Sequence, residues 1–265
     1  MDYDGEALTI DKIQQISYRS SPLSIGIVGK ADAGKTTFLA MLFTLLQKGK
    51  LFENYSFCGS KTLIGWDQLY HHLKVYQGSI QFPDPTPTGL LRVYHLALRA
   101  PKGALRDLLI YEASGETFYS WSRNRDDENA ENARTIYRKA NAFALFIDCA
   151  DLAERKGLAR AEIIGIAEML RHKLDGRPVV AVWSKADRMS EVVPELKNAI
   201  SDELKDMFGK IEEIEISNLS VTDPDILVHQ NNVQLIDKLL EQMEQLKAPA
   251  PSLTNPNEAL YNFLP

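Results

Sequence analysis

The feature that most constrains the fold of this chain is a short glycine-containing loop between an apolar segment and a helical one. Residues 29–36 read Gly-Lys-Ala-Asp-Ala-Gly-Lys-Thr, after the apolar run 24–28 and before residues 35–46, whose apolar side chains recur at helical spacing. Such a turn at a helix N-terminus directs successive backbone N–H groups into one concave space. The chain is therefore expected to build a strand–loop–helix unit here and to pack the rest of its core around it.

Buried strands alternate with amphipathic helices along the chain, which predicts an α/β fold with helices on both faces of a mainly parallel sheet. Strands are expected at residues 24–28, 91–98, 105–111, 142–147, 179–183 and 211–216. The second and third of these are joined by a connection too short for a crossover helix, so they should form an antiparallel hairpin. The expected architecture is thus three-layered, with a six-stranded sheet that contains one antiparallel strand.

The length and composition favour a single globular domain with extensions. The chain has 265 residues, of which 45% are hydrophobic, enough for one sizeable core. We expect an N-terminal extension at 1–22, a main domain at 23–247 with a helical insert at about 50–89, and a Pro-rich tail at 248–265.

Charge and cysteine content exclude several classes of function. A net charge of −6 argues against a broad electrostatic grip on nucleic acid. Two cysteines are too few for a disulfide framework or a zinc site. Residues 1–6 are acidic and lack the apolar core of a secretory signal, and no apolar run is long enough to span a bilayer. We expect a cytoplasmic protein with reduced thiols and no transmembrane segment.

The loop at 29–36 matches the phosphate-binding sequence GxxxxGK[ST], the P-loop, in the strand-to-helix context that the motif requires. Lys35 is expected to reach the β- and γ-phosphates of a nucleotide, and the Thr36 hydroxyl to ligate Mg²⁺. The predicted nucleotide contacts in this segment are Gly29, Lys30, Ala31, Asp32, Ala33, Gly34, Lys35, Thr36 and Thr37.

A second motif indicates which base is bound. The apolar strand at 179–183 ends in Ser184, Lys185, Ala186 and Asp187. A carboxylate at this place can accept hydrogen bonds from both N1–H and the exocyclic amine of guanine, whereas adenine offers no such donor pair. The aliphatic stem of Lys185 can cover the base and sugar. GTP and GDP are therefore the expected ligands, with Asp187 reading guanine.

Together, the two motifs resemble the translation-factor-like and Ras-like class of P-loop GTPases, over roughly residues 23–246. The resemblance implies the three-layer P-loop GTPase fold. Ser184 departs from the [NT]KxD pattern of this class but keeps a hydroxyl group. Ser217 and Asn218 follow the last predicted strand, and the resemblance implies that they contact the base.

The resemblance also implies a γ-phosphate sensor at residues 112–116. Glu112 takes the place of the Asp that holds the Mg²⁺ shell in this class, and the Gly115 N–H would touch the γ-phosphate. Glu116 stands where Ras-like members carry the Gln that orients the attacking water. By the same resemblance, Lys35, Thr86, Gly115 and Glu116 are the candidate catalytic residues.

A switch threonine is expected just before the antiparallel strand, where its hydroxyl would meet Mg²⁺. Thr86 and Thr88 both occupy this place, and Thr86 is preferred because the Pro-rich segment 82–87 resembles a switch of a bacterial subset. The candidate metal ligands are thus Thr36, Thr86, Thr88 and Glu112. Asp32 resembles the P-loop position that helps to hold a monovalent cation in translation-factor-like and potassium-stimulated members.

Residues 59–63, the helical insert, the Pro-rich switch and residues 113–116 together resemble the bacterial double-GTPase family. This resemblance implies a protein effector or a second GTPase as partner, and a role in a bacterial conflict or defence system.

Three functions remain open from the sequence. The first is a switch that hydrolyses GTP to GDP and phosphate with Mg²⁺, slowly without a partner, because the water-orienting Gln is replaced by Glu116. The second is a GTP-binding interaction module with little or no hydrolysis, which Glu112 and Glu116 favour. The third is a P-loop ATPase or kinase. The sequence also leaves open whether the chain forms oligomers through its switch regions.

Overall fold

A computed structural model describes residues 4–14, 18, 21–49, 52–72, 75–76, 79–80, 86–100, 103–218 and 225–245. Its strands are β1 (Leu23–Val28), β2 (Ser56–Gly59), β3 (Val75–Tyr76), β4 (Ser79–Ile80), β5 (Leu91–Arg99), β6 (Leu105–Ala113), β7 (Ala142–Asp148), β8 (Val179–Ser184) and β9 (Glu212–Glu215). Its α-helices are α1 (Ile10–Ile13), α2 (Lys35–Gln47), α3 (Leu63–His72), α4 (Gly115–Arg123), α5 (Glu131–Lys139), α6 (Cys149–Arg155), α7 (Gly157–Arg171), α8 (Pro194–Phe208) and α9 (Asn231–Gln245). None of these helices has the length and apolarity of a membrane span.

The main sheet has seven strands in the order β2-β5-β6-β1-β7-β8-β9, and β3 and β4 form a separate hairpin. β5 pairs antiparallel with both neighbours, while β6, β1, β7, β8 and β9 pair in parallel. The α/β class, the mainly parallel sheet and the antiparallel β5–β6 hairpin are as expected, but the expected number of six strands is wrong.

The additional strand is β2, at the edge of the sheet. Its four residues alternate between exposed and half-buried, and they pair with the far end of β5 through an irregular register. A segment this short carries little periodicity of its own, so its strand conformation comes from pairing with β5 rather than from local sequence.

Two layers of helices cover the sheet, and alternate residues of each central strand face opposite layers. In β6, Leu108 and Ile110 pack with α2, α3 and α9, whereas Leu109 and Tyr111 pack with α4, α5, α7 and α8. In β1, Gly26 allows close approach of α5, because a Cβ atom there would lie 2.6 Å from Ile136 Cγ2. The observed arrangement is therefore three-layered.

The described part of the N-terminal segment is attached to the main domain. Leu8 exchanges two backbone hydrogen bonds of 2.9 Å with Val93 of β5 and is fully buried. The carbonyl oxygen of Gly5 accepts from the N–H groups of Ile64 and Gly65 at the start of α3. The Pro-rich tail expected at 248–265 lies outside the described residues.

A buried polar network joins the turn before α3 to β5 and β6. His95 Nδ1 accepts from the Lys61 N–H at 2.9 Å, so Nε2 carries the ring proton and donates to Asp107 Oδ1, also at 2.9 Å. Thr62 Oγ1 accepts from the His95 N–H at 2.9 Å. His95, Asp107 and Thr62 are almost fully buried, so water cannot satisfy their polar atoms. These hydrogen bonds satisfy them instead.

Replacing Thr62 with valine tests this network. The substitution keeps the side-chain shape but leaves the buried His95 N–H without its acceptor, so we expect the free energy of unfolding to fall by about 1–3 kcal/mol. The matched control is Thr135→Val on α5, where the hydroxyl bonds an exposed glutamate. Urea denaturation that gives equal stabilities for the two variants would contradict a structural role for the network.

Candidate functional site

A cleft of about 830 Å³ opens at the carboxyl ends of the parallel strands, where ligands of open α/β sheets bind. It brings together segments that are far apart in the sequence. From the predicted site residues it is lined by Ala31, Asp32, Ala33, Gly34, Lys35, Thr36, Thr37, Thr86, Thr88, Glu112, Gly115, Glu116, Ser184, Lys185, Asp187, Ser217 and Asn218. Gly29 and Lys30 do not line it.

The P-loop curves tightly between β1 and α2. Asp32 and Gly34 adopt left-handed backbone conformations, with φ of 62° and 79°. Alternation of left- and right-handed residues gives the curvature from which a concave array of N–H groups is built. The side chain of Asp32 is exposed at the cleft.

The Lys35 side chain is buried beneath its own loop, with 5% of its surface exposed. Its Nζ atom donates to the carbonyl oxygens of Gly29 at 3.0 Å and Lys30 at 2.7 Å. Burial lowers the pKa of Lys35 to about 8, although the carboxylates of Glu112, Asp32 and Glu116 act in the opposite direction. The loop therefore holds a poorly solvated cation, ready to meet an anionic ligand.

Lys30 differs from the other predicted loop residues, because its side chain is directed away from the cleft. Its Nζ atom lies 3.3 Å from Asp151 Oδ2 on α6 and 2.9 Å from Glu162 Oε2 on α7. Its part in the site is the backbone carbonyl that accepts from Lys35.

Three oxygen atoms from distant segments meet beside the N-terminus of α2. The hydroxyls of Thr36 and Thr86 each donate to Glu112 Oε1 at 2.9 Å, and the two hydroxyl oxygens are 3.3 Å apart. Glu112 is fully buried, and its Oε2 has no hydrogen-bond partner among the described residues. Thr88 also lines the cleft, with an exposed side chain.

This oxygen set suits a hard divalent cation such as Mg²⁺, which prefers carboxylate and neutral oxygen ligands. Within the described residues there is no cluster of three His, Cys, Asp or Glu side chains that could hold a metal by themselves. The unpartnered Oε2 of a buried carboxylate is the observation that favours a cation here, since an uncompensated charge is costly in the interior.

The N-terminus of α4 lies directly against the P-loop. A Cβ atom on Gly115 would lie 1.8 Å from the Ala31 backbone nitrogen, so only glycine fits. Ser114 caps the helix by accepting from the Glu116 N–H at 3.3 Å. The Glu116 side chain is exposed and lines the cleft, where its charge acts on Lys35.

The other end of the cleft is built around Asp187. Its Oδ1 accepts from the buried Ser217 hydroxyl at 2.6 Å, which orients the carboxylate. The buried Ser184 hydroxyl donates to the carbonyl of Ile147 at 3.1 Å and so serves the strand-to-strand contact. Asn218 lines the same end, and its Oδ1 is buried without a partner in the described part of the chain.

Sequence reasoning missed two residues at this end. Asp148, at the end of β7, caps α6 by accepting from the N–H groups of Ala150 and Asp151, and its Oδ2 pairs with Lys185 Nζ at 2.7 Å. An apolar strand that ends in Asp was the available signal. Arg188 also lines the cleft, but it pairs with glutamates at 154 and 191.

Comparison with known proteins finds a family model that matches most of the chain. A sequence model of the family described as Double-GTPase 2 matches residues 23–243. No curated protein matches the chain. A solved structure, described as a crystal structure of a mutation variant of SsGBP, has 16% sequence identity and a TM-score of 0.43. That match covers 89% of this chain and 58% of the other, so this chain spans less than two thirds of its length.

The buried ammonium group of Lys35 predicts an unusual pH dependence of stability. Its pKa of about 8 in the folded chain lies below the ordinary 10.5, so the unfolded chain binds more protons between these values. Stability relative to Lys35→Met should therefore rise with pH, by about 1.4 kcal/mol per pH unit well above pH 8. Urea denaturation of both proteins between pH 7.5 and 10 measures the difference.

The control for this series is Lys139→Met, at an exposed position at the end of α5. Its stability difference from the wild type should stay constant over the same range. An equally flat difference for Lys35→Met would contradict the assignment of a depressed pKa to Lys35.

Proposed function

Because this chain belongs to the Double-GTPase 2 family of P-loop GTPases, we propose that it hydrolyses GTP to GDP and phosphate with Mg²⁺ and acts as a switch. The single observation that carries the proposal is the convergence of Lys35, the Thr36–Thr86–Glu112 cluster and Asp187 on one cleft. The cleft has a volume of about 830 Å³, within the range of ligand pockets, and lies where a nucleotide would bind across the strand ends.

Guanine recognition is assigned to the end of the cleft at Asp187. One carboxylate oxygen is held by Ser217, which leaves the group oriented to accept from N1–H and the exocyclic amine of the base. Lys185, held by Asp148, presents its aliphatic stem at the same end. Asn218 supplies a further amide, whose oxygen has no hydrogen-bond partner among the residues that the structure describes.

Phosphate binding is assigned to the P-loop and Lys35. When a nucleotide binds, the ammonium group would exchange its hydrogen bonds to two backbone carbonyls for stronger bonds to charged phosphate oxygens. These bonds would offset the cost of burying its charge. Thr36, Thr86 and Glu112 would hold Mg²⁺, which when bound neutralises charge on the β- and γ-phosphates. Asp32, whose side chain is exposed at the cleft, would help to hold a monovalent cation.

The switch itself is assigned to Thr86 and Gly115. Both lie at the phosphate end, Thr86 through its hydroxyl and Gly115 through its contact with the P-loop backbone. A γ-phosphate would engage both segments, and its loss would release them. Glu116 would orient the attacking water, with its charge partly balanced by Lys35.

Hydrolysis is expected to be slow in the isolated chain. Among the described residues, the arginine that lines the cleft is Arg188, which follows Asp187 and pairs with the glutamates at 154 and 191. An arginine finger would then come from a partner, an effector or a second GTPase, within a conflict or defence system. A GTP-binding module without hydrolysis is the second candidate, favoured by the charge that Glu116 would bring near the γ-phosphate.

Asp187→Asn tests the choice of base. The wild type should bind GTP and GDP tightly and ATP weakly, measured by calorimetry. Loss of the charged acceptor should weaken GTP binding by about 10-fold or more, while the new amide can donate to the C2 carbonyl of xanthosine triphosphate. Asp175→Asn, at an exposed position outside the cleft, should behave as the wild type. Tighter binding of ATP than GTP by the wild type would indicate an ATPase or kinase instead.

Substitutions of Glu116 distinguish a switch that hydrolyses GTP from a module that only binds it. Glu116→Ala should slow single-turnover GTP hydrolysis by about 10-fold or more, with the GTP dissociation constant within about twofold of the wild type. Glu116→Gln should retain hydrolysis, because an amide orients water without repelling the γ-phosphate. The control is Glu128→Ala, an exposed position after α4. GTP that stays intact over hours on the wild type would support the binding module.

A further inference from the structure

The oxygen cluster at the phosphate end of the cleft indicates how a metal ion would be held. We propose that Glu112 ligates the Mg²⁺ ion directly through Oε1, as a third ligand beside the hydroxyls of Thr36 and Thr86, rather than through a metal-bound water. This assignment rests on the proposed function, because the remaining ligands would be phosphate oxygens of the nucleotide.

The first argument is the spacing of the three oxygen atoms. Mg²⁺ binds six oxygens octahedrally at about 2.0–2.1 Å, so adjacent ligand atoms stand about 2.9 Å apart. Glu112 Oε1 lies 2.9 Å from both hydroxyl oxygens, which are 3.3 Å from each other. The two edges that meet at Glu112 Oε1 therefore match an edge of the octahedron, and the edge between the hydroxyls is longer by about 0.4 Å. An oxygen atom at the same distance from both hydroxyl oxygens lies where a third ligand on one face of the octahedron would lie.

The second argument is charge. The hydrogen-bond donors to Glu112 are two neutral hydroxyls, its Oε2 has no partner among the described residues, and the whole side chain is buried. The Lys35 ammonium group, on which the charge of Glu112 acts, donates its hydrogen bonds to the carbonyls of Gly29 and Lys30 instead. A buried carboxylate in this state is costly. A cation bound at Oε1 compensates it, and Oε2 remains free to accept from a water on the ion.

The third argument is the reach of the side chain. Glu112 occupies the penultimate position of β6, where pairing with Arg92 of β5 fixes its backbone. From this backbone the glutamate carboxylate already contacts both hydroxyls. An aspartate at the same place would withdraw the oxygen by about 1.5 Å, the length of one carbon–carbon bond. It would then reach the ion only through water, so the extra methylene group changes the mode of binding.

Counting water molecules on the ion tests the proposal. Mn²⁺ replaces Mg²⁺ in a complex with a non-hydrolysable GTP analogue, and the broadening of its paramagnetic resonance lines in oxygen-17-enriched water reports the bound waters. Two hydroxyls, two phosphate oxygens and Glu112 leave one of the six positions for water in the wild type. Glu112→Asp and Glu112→Ala should each have two.

The matched control is Asp175→Asn, which removes the charge of an exposed acidic residue outside the cleft and keeps a side chain that tolerates the left-handed backbone. Its count should stay at one water. Thermal unfolding of each variant verifies that it is folded, and Glu112→Asp is the milder change.

A water count that does not change between the wild type and both Glu112 variants would overturn direct ligation and assign the carboxylate to a water-mediated contact. Failure of the wild type to bind the GTP analogue with Mn²⁺ at all is a different result. It would overturn the proposed function, and the assignment of Glu112 with it.

Discussion

Parallel pairing of β1 with β6 on one side and β7 on the other is the constraint on which the site depends. The register aligns Ile25 with both Ile110 and Ala142, so the three strands end at the same edge of the sheet. The segments that follow these strands, namely the P-loop and the N-termini of α4 and α6, therefore converge on one cleft. Because parallel strands need long crossovers, residues tens of positions apart in the sequence become neighbours. Thr36 and Glu112 are such a pair.

The cleft holds two buried charges of opposite sign that do not satisfy each other directly. Lys35 donates to backbone carbonyls, and Glu112 accepts from hydroxyls. Each is therefore less well stabilised than a free ion in water, and each would gain from a ligand of the opposite charge. A polyphosphate with its metal ion offers both at once. Gly115 allows the two halves of this site to lie close together, since a Cβ atom at this position would lie 1.8 Å from the Ala31 backbone nitrogen.

Much of the fold could be predicted because its signals are local. The apolar runs of β1, β7 and β8 and the helical spacing of α2 are visible within short windows, and the structure has these elements with nearly the expected bounds. β2 could not be found in this way, because four alternating residues at a sheet edge depend on their partner strand. The side-chain direction of Lys30 was equally hidden, since the acidic residues that attract it belong to α6 and α7.

By itself the sequence determined the phosphate loop, the α/β class and the carboxylate at Asp187, because glycine positions, apolar periodicity and short motifs are properties of neighbouring residues. Only the tertiary structure decided that, of the two candidate threonines, Thr86 contacts Thr36 and Glu112, and that Asp148 holds Lys185. These contacts join segments whose separation along the chain is long. Their formation depends on strand register and helix packing, which act over the whole domain and leave no mark in any single stretch of sequence.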